Sequence, residues 1–378
     1  MRITIVVGFF LPVPPVAGGA SEKSWFGLAK EFARAGHAVT LISRRWPGFP
    51  DRETQDGVQH LRLPGFSHTE RLWKNLWLDL LWSWRVWRQL PPADITIVNC
   101  IALPVWLGWF RRGAGRVAVM PGRVPKGQYR VYRRVDRVLA VSSPIAAAVL
   151  LENPQLQPVT RIFGYPIDWT SFAGGGKPAR SAPLTIGFVG RLHREKGLDL
   201  LAAAAAQLAA RSDLPPWRLL LCGPADVARG GSGESYRAEL ERKFAAALPG
   251  DRVTFLDPIF DPTQLIEVYR WLDVFCYPSL AAEGETFGVA VAEAMAAGAV
   301  PVVSALPCFT DFVRMDVTGG IFDHTAEDAS QRLADTLARL LADDAARARM
   351  AEAAREEVRR YDFPNFAARL LADFSTLK

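Results

Sequence analysis

Three glutamates stand in an otherwise small and apolar stretch, AAEGETFGVAVAEAMAAG, which covers residues 281–298. Glu283 and Glu285 come just before a Phe-Gly step, and Glu293 falls in an Ala/Val pattern that predicts a helix starting near Val289. A carboxylate on an apolar helix is costly unless it is paired or bonded to hydroxyls, so Glu293 indicates either a hydroxyl-bearing ligand or an exposed helix face. The backbone N–H groups of the first helical turn would add a place that favours an anion.

A second loop carries two cations. GFVGRLHREKG, residues 187–197, follows a predicted strand and places Arg191 and Lys196 between Gly190 and Gly197. A bidentate guanidinium and a compact ammonium at one strand end suit a diphosphate. Two solvated surface cations are the alternative, and the loop by itself favours that alternative.

The first loop of the chain is rich in proline and glycine. PVPPVAGGASEK, residues 12–23, follows the first predicted strand, and Gly18 and Gly19 stand just before a predicted helix. Glycines there allow close backbone approach, and the helix dipole favours an anion. The loop matches neither GxGxxG nor a Walker A motif, so a plain turn is about as good an interpretation.

These loops belong to a regular alternation of strands and helices. Short runs rich in Val and Ile alternate with helical patterns such as residues 24–35, which is typical of parallel sheets covered on both faces. A Gly/Pro/Ser-rich linker at 172–183 divides the series into two α/β domains. Ligands of such sheets bind at loops beyond the carboxyl ends of the strands. The predicted strands are 2–7, 37–43, 94–99, 116–120, 137–142, 184–190, 218–223, 252–257, 273–278 and 299–304.

Composition indicates a folded globular protein. The 378 residues are 49% hydrophobic and 22% charged, which is ordinary for such chains. The four cysteines stand far apart without CxxC spacing, which argues against disulfides or a zinc site and fits a reducing cytoplasm. The N-terminal MRITIVVGFF reads as a strand and not as a signal peptide, and the uncharged stretch of residues 95–110 is short for a spanning helix. We therefore expect a cytoplasmic protein without a metal site.

The net charge of +6 is unevenly distributed. Residues 1–183 carry 24 Lys/Arg against 11 Asp/Glu, a net of +13, whereas the remainder carries 21 against 28, a net of −7. A basic half could face nucleic acid, lipid headgroups or a phosphorylated substrate. No nucleic-acid-binding motif accompanies it, so we expect no nucleic acid partner.

One segment of the basic half, residues 71–90, holds five of the twelve tryptophans. A helical wheel predicts an apolar face for the core, formed by Trp73, Leu76, Trp77, Leu80, Trp84 and Trp87. Another face groups the cations, with Leu78 and Trp82 among or beside them: Arg71, Lys74, Arg85 and Arg88. Aromatic residues mixed with cations suit a membrane interface, so we expect Trp82, Arg85 and Arg88 to contact an anionic membrane. The alternative is a core helix with a solvated basic edge.

Several segments together resemble the glycosyltransferase family 4 type of retaining GT-B transferases, the glycosyl transferases group 1. They are GGASEKSWFGLAKEFARAGHAVTLIS, GRLHREKG, FLDPIFDPTQLIEVYRWLDVFCYPS, ETFGVAVAEAMAAGAVPVVS and RRYDFPNFAARLLADF. The resemblance covers nearly the whole chain. It implies two Rossmann-like parallel-sheet domains facing each other across a cleft, residues 1–180 and 181–363, with a C-terminal helix of about 364–378 packing back on the first.

The resemblance also implies a donor site for a UDP- or GDP-linked sugar, without a cofactor or metal ion. Arg191 and Lys196 would neutralise the diphosphate of the donor, and Glu285 would bind hydroxyls of its sugar; these three are the implied catalytic residues. Glu293 would accept hydrogen bonds from the ribose, and the segment around Ile259 would contact the base. The other implied donor contacts are Gly18, Gly19, Gly190, Thr286, Phe287, Gly288 and Val289.

The chain departs from the family pattern in two places. Many relatives have a histidine near the reacting sugar, where this chain has Met120-Pro121-Gly122-Arg123, and Asp311 only approximates the usual acidic residue. The resemblance implies a front-face attack without a protein nucleophile, with which a missing side-chain base is compatible. Glu22 and Arg123 are expected on the acceptor side.

The expected function is retaining transfer of a sugar to a membrane-lipid-linked saccharide or glycolipid, in surface polysaccharide or glycoconjugate synthesis. The protein would lie on the inner face of the plasma membrane. The alternatives are a sugar-nucleotide epimerase of the same fold and a transferase with a soluble small-molecule acceptor. An epimerase would be expected to keep a histidine near the donor sugar, and a dehydrogenase is disfavoured because neither domain begins with GxGxxG.

Overall fold

The computed structural model describes residues 1–16, 19–111, 113–175 and 183–377. The chain forms two compact units, Met1–Pro166 with Phe363–Lys378, and Ile167–Asp362. Each unit is built on its own sheet, in which nearly all neighbouring strands run parallel. The predicted fold class, α/β with two parallel-sheet domains, is confirmed.

The first unit has eight strands in its described part: β1 Arg2–Val6, β2 Ala38–Arg44, β3 Arg52–Gln55, β4 Val58–Leu63, β5 Ile95–Val98, β6 Arg116–Val119, β7 Arg137–Ala140 and β8 Thr160–Ile162. Their order in the sheet is β3-β4-β2-β1-β5-β6-β7-β8, and only β3 runs antiparallel to its neighbour among the pairs described. The helices of this unit are α1 Ala20–Arg34, α2 Leu72–Gln89, α3 Leu103–Trp109, α4 Ser143–Glu152 and the C-terminal α13 Phe363–Ser375. Short 3-10 helices cover Gln128–Val131 and Pro154–Val159.

The second unit has six strands in its described part: β9 Leu184–Val189, β10 Trp217–Cys222, β11 Val253–Leu256, β12 Val274–Tyr277, β13 Val300–Ser304 and β14 Gly320–Phe322. Their order is β11-β10-β9-β12-β13-β14, all parallel where paired. Its helices are α5 Trp169–Ala173, α6 Leu198–Ala209, α7 Glu234–Ala247, α8 Pro262–Arg270, α9 Val289–Ala296, α10 Pro307–Thr310, α11 Ala329–Ala342 and α12 Asp344–Val358. Short 3-10 helices cover Arg194–Lys196, Val227–Arg229 and Arg359–Tyr361.

The strands predicted from Val/Ile-rich runs are all present, and most of those runs are the buried interiors of the sheets, whereas β11 is a partly exposed edge strand. Every residue of β5, β12 and β13 is buried, as expected for strands covered on both faces. The sequence did not predict β3, β4, β8 and β14. Of these, β3 is a polar edge strand, β4 buries His60 and Arg62, and the other two have three residues each.

The N-terminal segment of the first unit ends at Pro166, ahead of the glycine-rich linker at which the sequence placed the domain boundary. Helix α5 packs in the second unit, where Trp169 Nε1 donates to the backbone carbonyl of Arg355 at 2.9 Å. Helix α13 packs in the first unit, where Arg137 Nε donates to the carboxylate of Asp373 at 2.7 Å. Side-chain contacts of this kind link distant parts of the chain and leave no local sequence signal.

Each sheet has one point at which the order of strands reverses. In the first sheet it lies between β1 and β5, and in the second between β9 and β12. The loops beyond the carboxyl ends of two such strands leave to opposite sides, which opens a crevice for a ligand. In the second unit these are the loops 190–197 and 278–288, the two that the sequence singled out.

Candidate active site

The two loops of the second unit are held against each other by backbone contacts. The backbone N–H of Leu280 donates to the carbonyl of Glu195 at 2.7 Å. Gly197 has a φ of 68°, and a Cβ at this position would collide with the carbonyl oxygen of Pro278. Glycine is therefore required where the first loop crosses the second. This crossing places Lys196 beside Glu285 of the second loop.

Lys196 and Glu285 form a buried ion pair at this crossing. Lys196 Nζ donates to Glu285 Oε1, and the same oxygen accepts the hydroxyls of Tyr277 at 3.1 Å and Ser279 at 3.0 Å. Lys196 and Glu285 are 4% and 9% exposed. Burial, followed by the charge of Glu285, raises the pKa of Tyr277 far above its usual value, so the phenol stays a donor. Three donors on Oε1 fix the carboxylate.

Tyr277 and Ser279 were not among the predicted site residues. The ring of Tyr277 is fixed by stacking on Phe188 at 5.5 Å and on Phe275 at 5.9 Å. Its position at the last residue of β12 was the available signal, since side chains at the ends of parallel strands face the ligand crevice.

Arg191 lies at the exposed end of the same cluster. Its Nη1 donates to the carbonyl of Gly230 at 2.8 Å, and its Nη2 donates to Glu195 Oε1 at 2.9 Å. The same Glu195 oxygen is 3.8 Å from Lys196 Nζ. Arg191 and Lys196 are therefore brought together as predicted, with Glu195 between them as a residue that the sequence did not indicate.

Helix α9 begins at Val289, where the sequence placed its start. Gly288 caps it with a φ of 99°, and a Cβ there would come within 2.6 Å of the Phe309 ring. Thr286 is half-buried, whereas Phe287 is fully buried with its ring 4.9 Å from that of Phe312. Residues 286–288 can thus meet a ligand chiefly through their backbone, and the N–H groups of the first turn favour an anion.

Glu293 lies in the second turn of α9 and is half-buried. Its Oε2 accepts the hydroxyl of Tyr269, from α8, at 3.3 Å. Burial and the neighbouring charge of Glu293 raise the pKa of Tyr269 far above its usual value, so this hydroxyl is also a donor. The carboxylate in the apolar helix is thus bonded to a hydroxyl. Glu283 is exposed on the loop before the helix.

Gly190 and Ile259 lie in two loops at the carboxyl edge of the second sheet, after β9 and β11. Gly190 comes directly after β9, and its N–H donates to the carbonyl of Cys222 at 2.9 Å. Ile259 is half-buried in the loop after β11. Cys222 Sγ lies 3.6 Å from the carbonyl of Asp257, which ties that loop to the end of β10.

The first unit places three predicted residues at the carboxyl edge of its sheet. Gly19, with a φ of 99°, is the N-cap of α1, and a Cβ there would collide with the carboxylate of Glu22. Glu22 is buried, and this burial raises its pKa. Arg123 is exposed in the loop after β6, and Gly18 lies outside the described residues.

Two family models match successive parts of this chain. Glycosyltransferase Family 4 matches residues 18–160, and Glycosyl transferases group 1 matches residues 176–357. The chain belongs to the family 4 glycosyltransferases. The resemblance stated from the sequence is confirmed.

Relatives with curated names are similar to part of this chain. The D-inositol 3-phosphate glycosyltransferase of Corynebacterium efficiens is 36% identical over 191 residues, which are 50% of this chain and 42% of that protein. The phosphatidyl-myo-inositol mannosyltransferase of Mycolicibacterium smegmatis is 33% identical over 194 residues, 51% of this chain and 45% of that protein. The chain spans about half the length of the curated relatives it matches.

Solved structures share the fold over the full chain. Sucrose-phosphate synthase from Thermosynechococcus elongatus has a TM-score of 0.73 at 22% identity, covering 100% of this chain and 99% of that one. A lipopolysaccharide outer core galactosyltransferase has a TM-score of 0.72 at 16% identity, covering 100% of both chains. At these identities the likeness shows the GT-B fold alone.

Helix α2 buries the face opposite to the one that the sequence predicted for the core. Trp82, expected to contact a membrane, is fully buried. Asp79 is on the same buried face, where it accepts hydrogen bonds from the backbone N–H groups of Ile101 at 3.2 Å and Ala102 at 2.6 Å. The prediction that Trp82 contacts a membrane is therefore wrong. The helix buries the face that carries Trp82, because the polar side chains on that face have hydrogen-bond partners inside the unit.

The two arginines predicted to contact a membrane differ from each other. Arg85 is half-buried, with Nη1 donating to the carbonyl of Pro64 at 2.5 Å and the guanidinium 4.7 Å from the Phe66 ring. Arg88 is exposed, with its guanidinium 4.9 Å from the ring of Trp84. Arg85 thus packs on its own unit, and only Arg88 is presented to solvent.

The face of α2 predicted for the core faces solvent instead. It continues into α3, because the Trp87 ring stacks on Trp106 at 6.2 Å and meets Phe110 edge-on at 5.9 Å. Among the described residues, none of the helices is long and apolar enough to cross a membrane. We call the following exposed residues the aromatic face: Leu72 65%, Trp73 67%, Leu76 44%, Trp77 57%, Trp84 42%, Trp109 68% and Phe110 54%.

Proposed function

We propose that this glycosyltransferase uses a UDP- or GDP-linked sugar, transfers it with retention of anomeric configuration and needs no metal ion. The observation that carries the proposal is the convergence of Arg191, Lys196 and Glu285 at the strand-order reversal of the second sheet. Two cations and the start of α9 supply the positive charge that a departing diphosphate requires. A carboxylate fixed at one oxygen can offer the other to sugar hydroxyls.

Charge stabilisation of the leaving group is the main chemical task of such a site. As the bond between the sugar and the diphosphate breaks, negative charge grows on the phosphate oxygens, and fixed cations lower the energy of that state. Glu293 is proposed to hold the ribose, and Ile259 to lie against the base. In the first unit, Gly19, Glu22 and Arg123 are proposed to face the sugar and the acceptor.

We propose a lipid-linked acceptor at an anionic membrane on the cytoplasmic side. The aromatic face supports this, because exposed tryptophans suit the boundary between headgroups and acyl chains. Lys74 and Arg88 on the same helix are exposed cations, and residues 1–183 carry a net charge of +13. Anionic headgroups attract such a surface. The relative named phosphatidyl-myo-inositol mannosyltransferase is named for an acceptor of this kind.

A soluble polyol phosphate is the second candidate acceptor. It is favoured by the relatives named D-inositol 3-phosphate glycosyltransferase, which include the first protein compared above. A sugar-nucleotide epimerase of the same fold is not favoured by either comparison.

Donor and acceptor are tested in sequence. A thermal-shift panel of UDP-, GDP- and ADP-sugars should show one stabilising class, and that donor should then be consumed with inositol 3-phosphate or with phosphatidylinositol vesicles in the presence of EDTA. Proton NMR of the product reports retention. If no nucleotide sugar raises the melting temperature, the proposed function is wrong.

The membrane contact is tested on the aromatic face itself. The variant Trp73→Ser/Trp77→Ser/Trp84→Ser should sediment with phosphatidylglycerol-containing vesicles at least about tenfold less than wild type, since each indole loses interfacial contact. The control Met315→Ser/Val317→Ser removes exposed apolar side chains of the second unit and should sediment as wild type does. Equal sedimentation of the triple variant and wild type would reject the membrane contact.

A further inference from the structure

We propose that Glu195 is an internal counter-ion of the donor site, which competes with the diphosphate of the donor for Arg191 and Lys196. The inference rests on the proposed function, since it takes these two cations as the diphosphate site. Glu195 is a positioning residue in this scheme, because it acts on the ligand through the cations. Its removal should tighten the binding of nucleoside diphosphates.

The carboxylate of Glu195 lies between the two cations. Its Oε1 accepts Arg191 Nη2 at 2.9 Å and is 3.8 Å from Lys196 Nζ. Lys196 is also paired with Glu285, so two cations face two carboxylates. The charge of the cluster is thus balanced by the protein itself. A diphosphate that binds Arg191 must displace Glu195 from the guanidinium or remain close to its negative charge.

The backbone holds Glu195 in this place independently of the ion pair. Its carbonyl accepts the N–H of Leu280 at 2.7 Å and lies 3.3 Å from the hydroxyl oxygen of Ser279, and its own N–H donates to His193 Nδ1 at 3.2 Å. The carboxylate of Glu195 lies against the loop that carries Glu285, since a Cβ added to Gly284 would be 3.6 Å from Glu195 Oε2. The backbone of Glu195 is thus fixed at the crossing of the two loops, and only its side chain has to turn for a diphosphate to reach Arg191.

The competition between Glu195 and the diphosphate has a role in product release. A transferase has to release its nucleoside diphosphate after each cycle, and two uncompensated cations would retain it. A carboxylate beside them returns to Arg191 as the product leaves, which shortens the lifetime of the product complex. An isosteric neutral side chain should therefore bind the product more tightly and release it more slowly.

The test measures binding of UDP, GDP, UMP and GMP by calorimetry to wild type, Glu195→Gln and Glu239→Gln. Glu239 is the matched control, because it also belongs to the second unit and its described ion pairs are with Arg194 at 2.6 Å and Lys243 at 2.7 Å, not with Arg191 or Lys196. Glu195→Gln should bind the preferred diphosphate about two- to fivefold more tightly, the range of an exposed ion pair. The gain should be smaller for the monophosphate and should shrink between 0.05 and 0.5 M NaCl.

The outcomes separate this inference from the proposed function. Diphosphate binding that Glu195→Gln leaves unchanged or weakens overturns the inference alone. An equal gain in Glu239→Gln also overturns it, because the effect would then follow from the overall charge of the unit. Failure of wild type to bind either diphosphate overturns the proposed function and the inference with it.

Discussion

Lys196→Met should destabilise the second unit, because it leaves the carboxylate of Glu285 buried without its cation. Only the hydroxyls of Tyr277 and Ser279, at 3.1 and 3.0 Å, would then remain on that carboxylate. Removing one partner of a buried ion pair costs about 3–5 kcal/mol. The two remaining donors put the expected loss near the lower end, at about 3 kcal/mol.

The double variant Lys196→Met/Glu285→Gln should recover most of that loss. No charge stays buried in it, and an uncharged pair of similar volume is often as stable as the ion pair it replaces. The expected coupling between the two sites is about 2 kcal/mol. In a unit of this size, a loss of about 3 kcal/mol lowers the melting temperature by roughly 6–12 °C.

Calorimetry of wild type, Lys196→Met, Glu285→Gln and the double variant gives the coupling energy between the two sites directly. The two units can unfold in separate transitions, so hydrogen exchange of β9 and β12 should identify which transition moves. Arg194→Met is the control, since it breaks the more exposed pair with Glu239 and should cost less than about 1 kcal/mol. Losses of Lys196→Met and Glu285→Gln that simply add in the double variant would refute the reasoning.

Two further variants test the backbone and the buried acid. Gly197→Ala should destabilise the second unit by more than about 2 kcal/mol in urea unfolding, because its Cβ would meet the carbonyl of Pro278, whereas Gly298→Ala, with a φ of 84° and open space, should cost only about 1 kcal/mol. Burial raises the pKa of Asp79 to about 6 from 3.8, so the stability linked to this carboxyl is present below about pH 4 and is lost as the pH rises through 6. The advantage of wild type over Asp79→Asn in unfolding free energy should therefore fall by roughly 3 kcal/mol from pH 4 to pH 7, and a pH-independent difference would contradict it.

The sheets were predictable because their central strands are short, apolar and buried on both sides. Runs such as ITIV in β5 and VFCY in β12 are typical of strands buried on both faces of a parallel sheet. Strand β4 was missed because it buries His60 and Arg62, which interrupt the apolar pattern. Arg62 is stabilised by the carbonyl of Pro50 at 2.7 Å, a partner that only the folded chain supplies.

The candidate site was predictable as a set of loops but not as a set of contacts. Strand-to-helix loops can be recognised from the chain, and general topology places ligands there. The ion pair between Lys196 and Glu285 depends on β9 lying next to β12, with Ile186 beside Val274, and alternation of elements does not determine that order. The sequence therefore indicated Lys196 and Glu285 as residues for a ligand, and their mutual contact became visible only in the fold.

Helix α2 shows why an apolar period cannot by itself identify the buried face. Both of its faces carry tryptophan, so the wheel favoured the face with more of them, and that face is the exposed one. The buried face is marked by Asp79 and Ser83, polar residues that a wheel assigns to solvent but that bond to the loop after β5 and to Cys100. Exposed patches with several large apolar side chains are the kind of surface at which proteins contact partners or membranes. The aromatic face is therefore where a membrane contact should be sought, and Trp82 is not part of it.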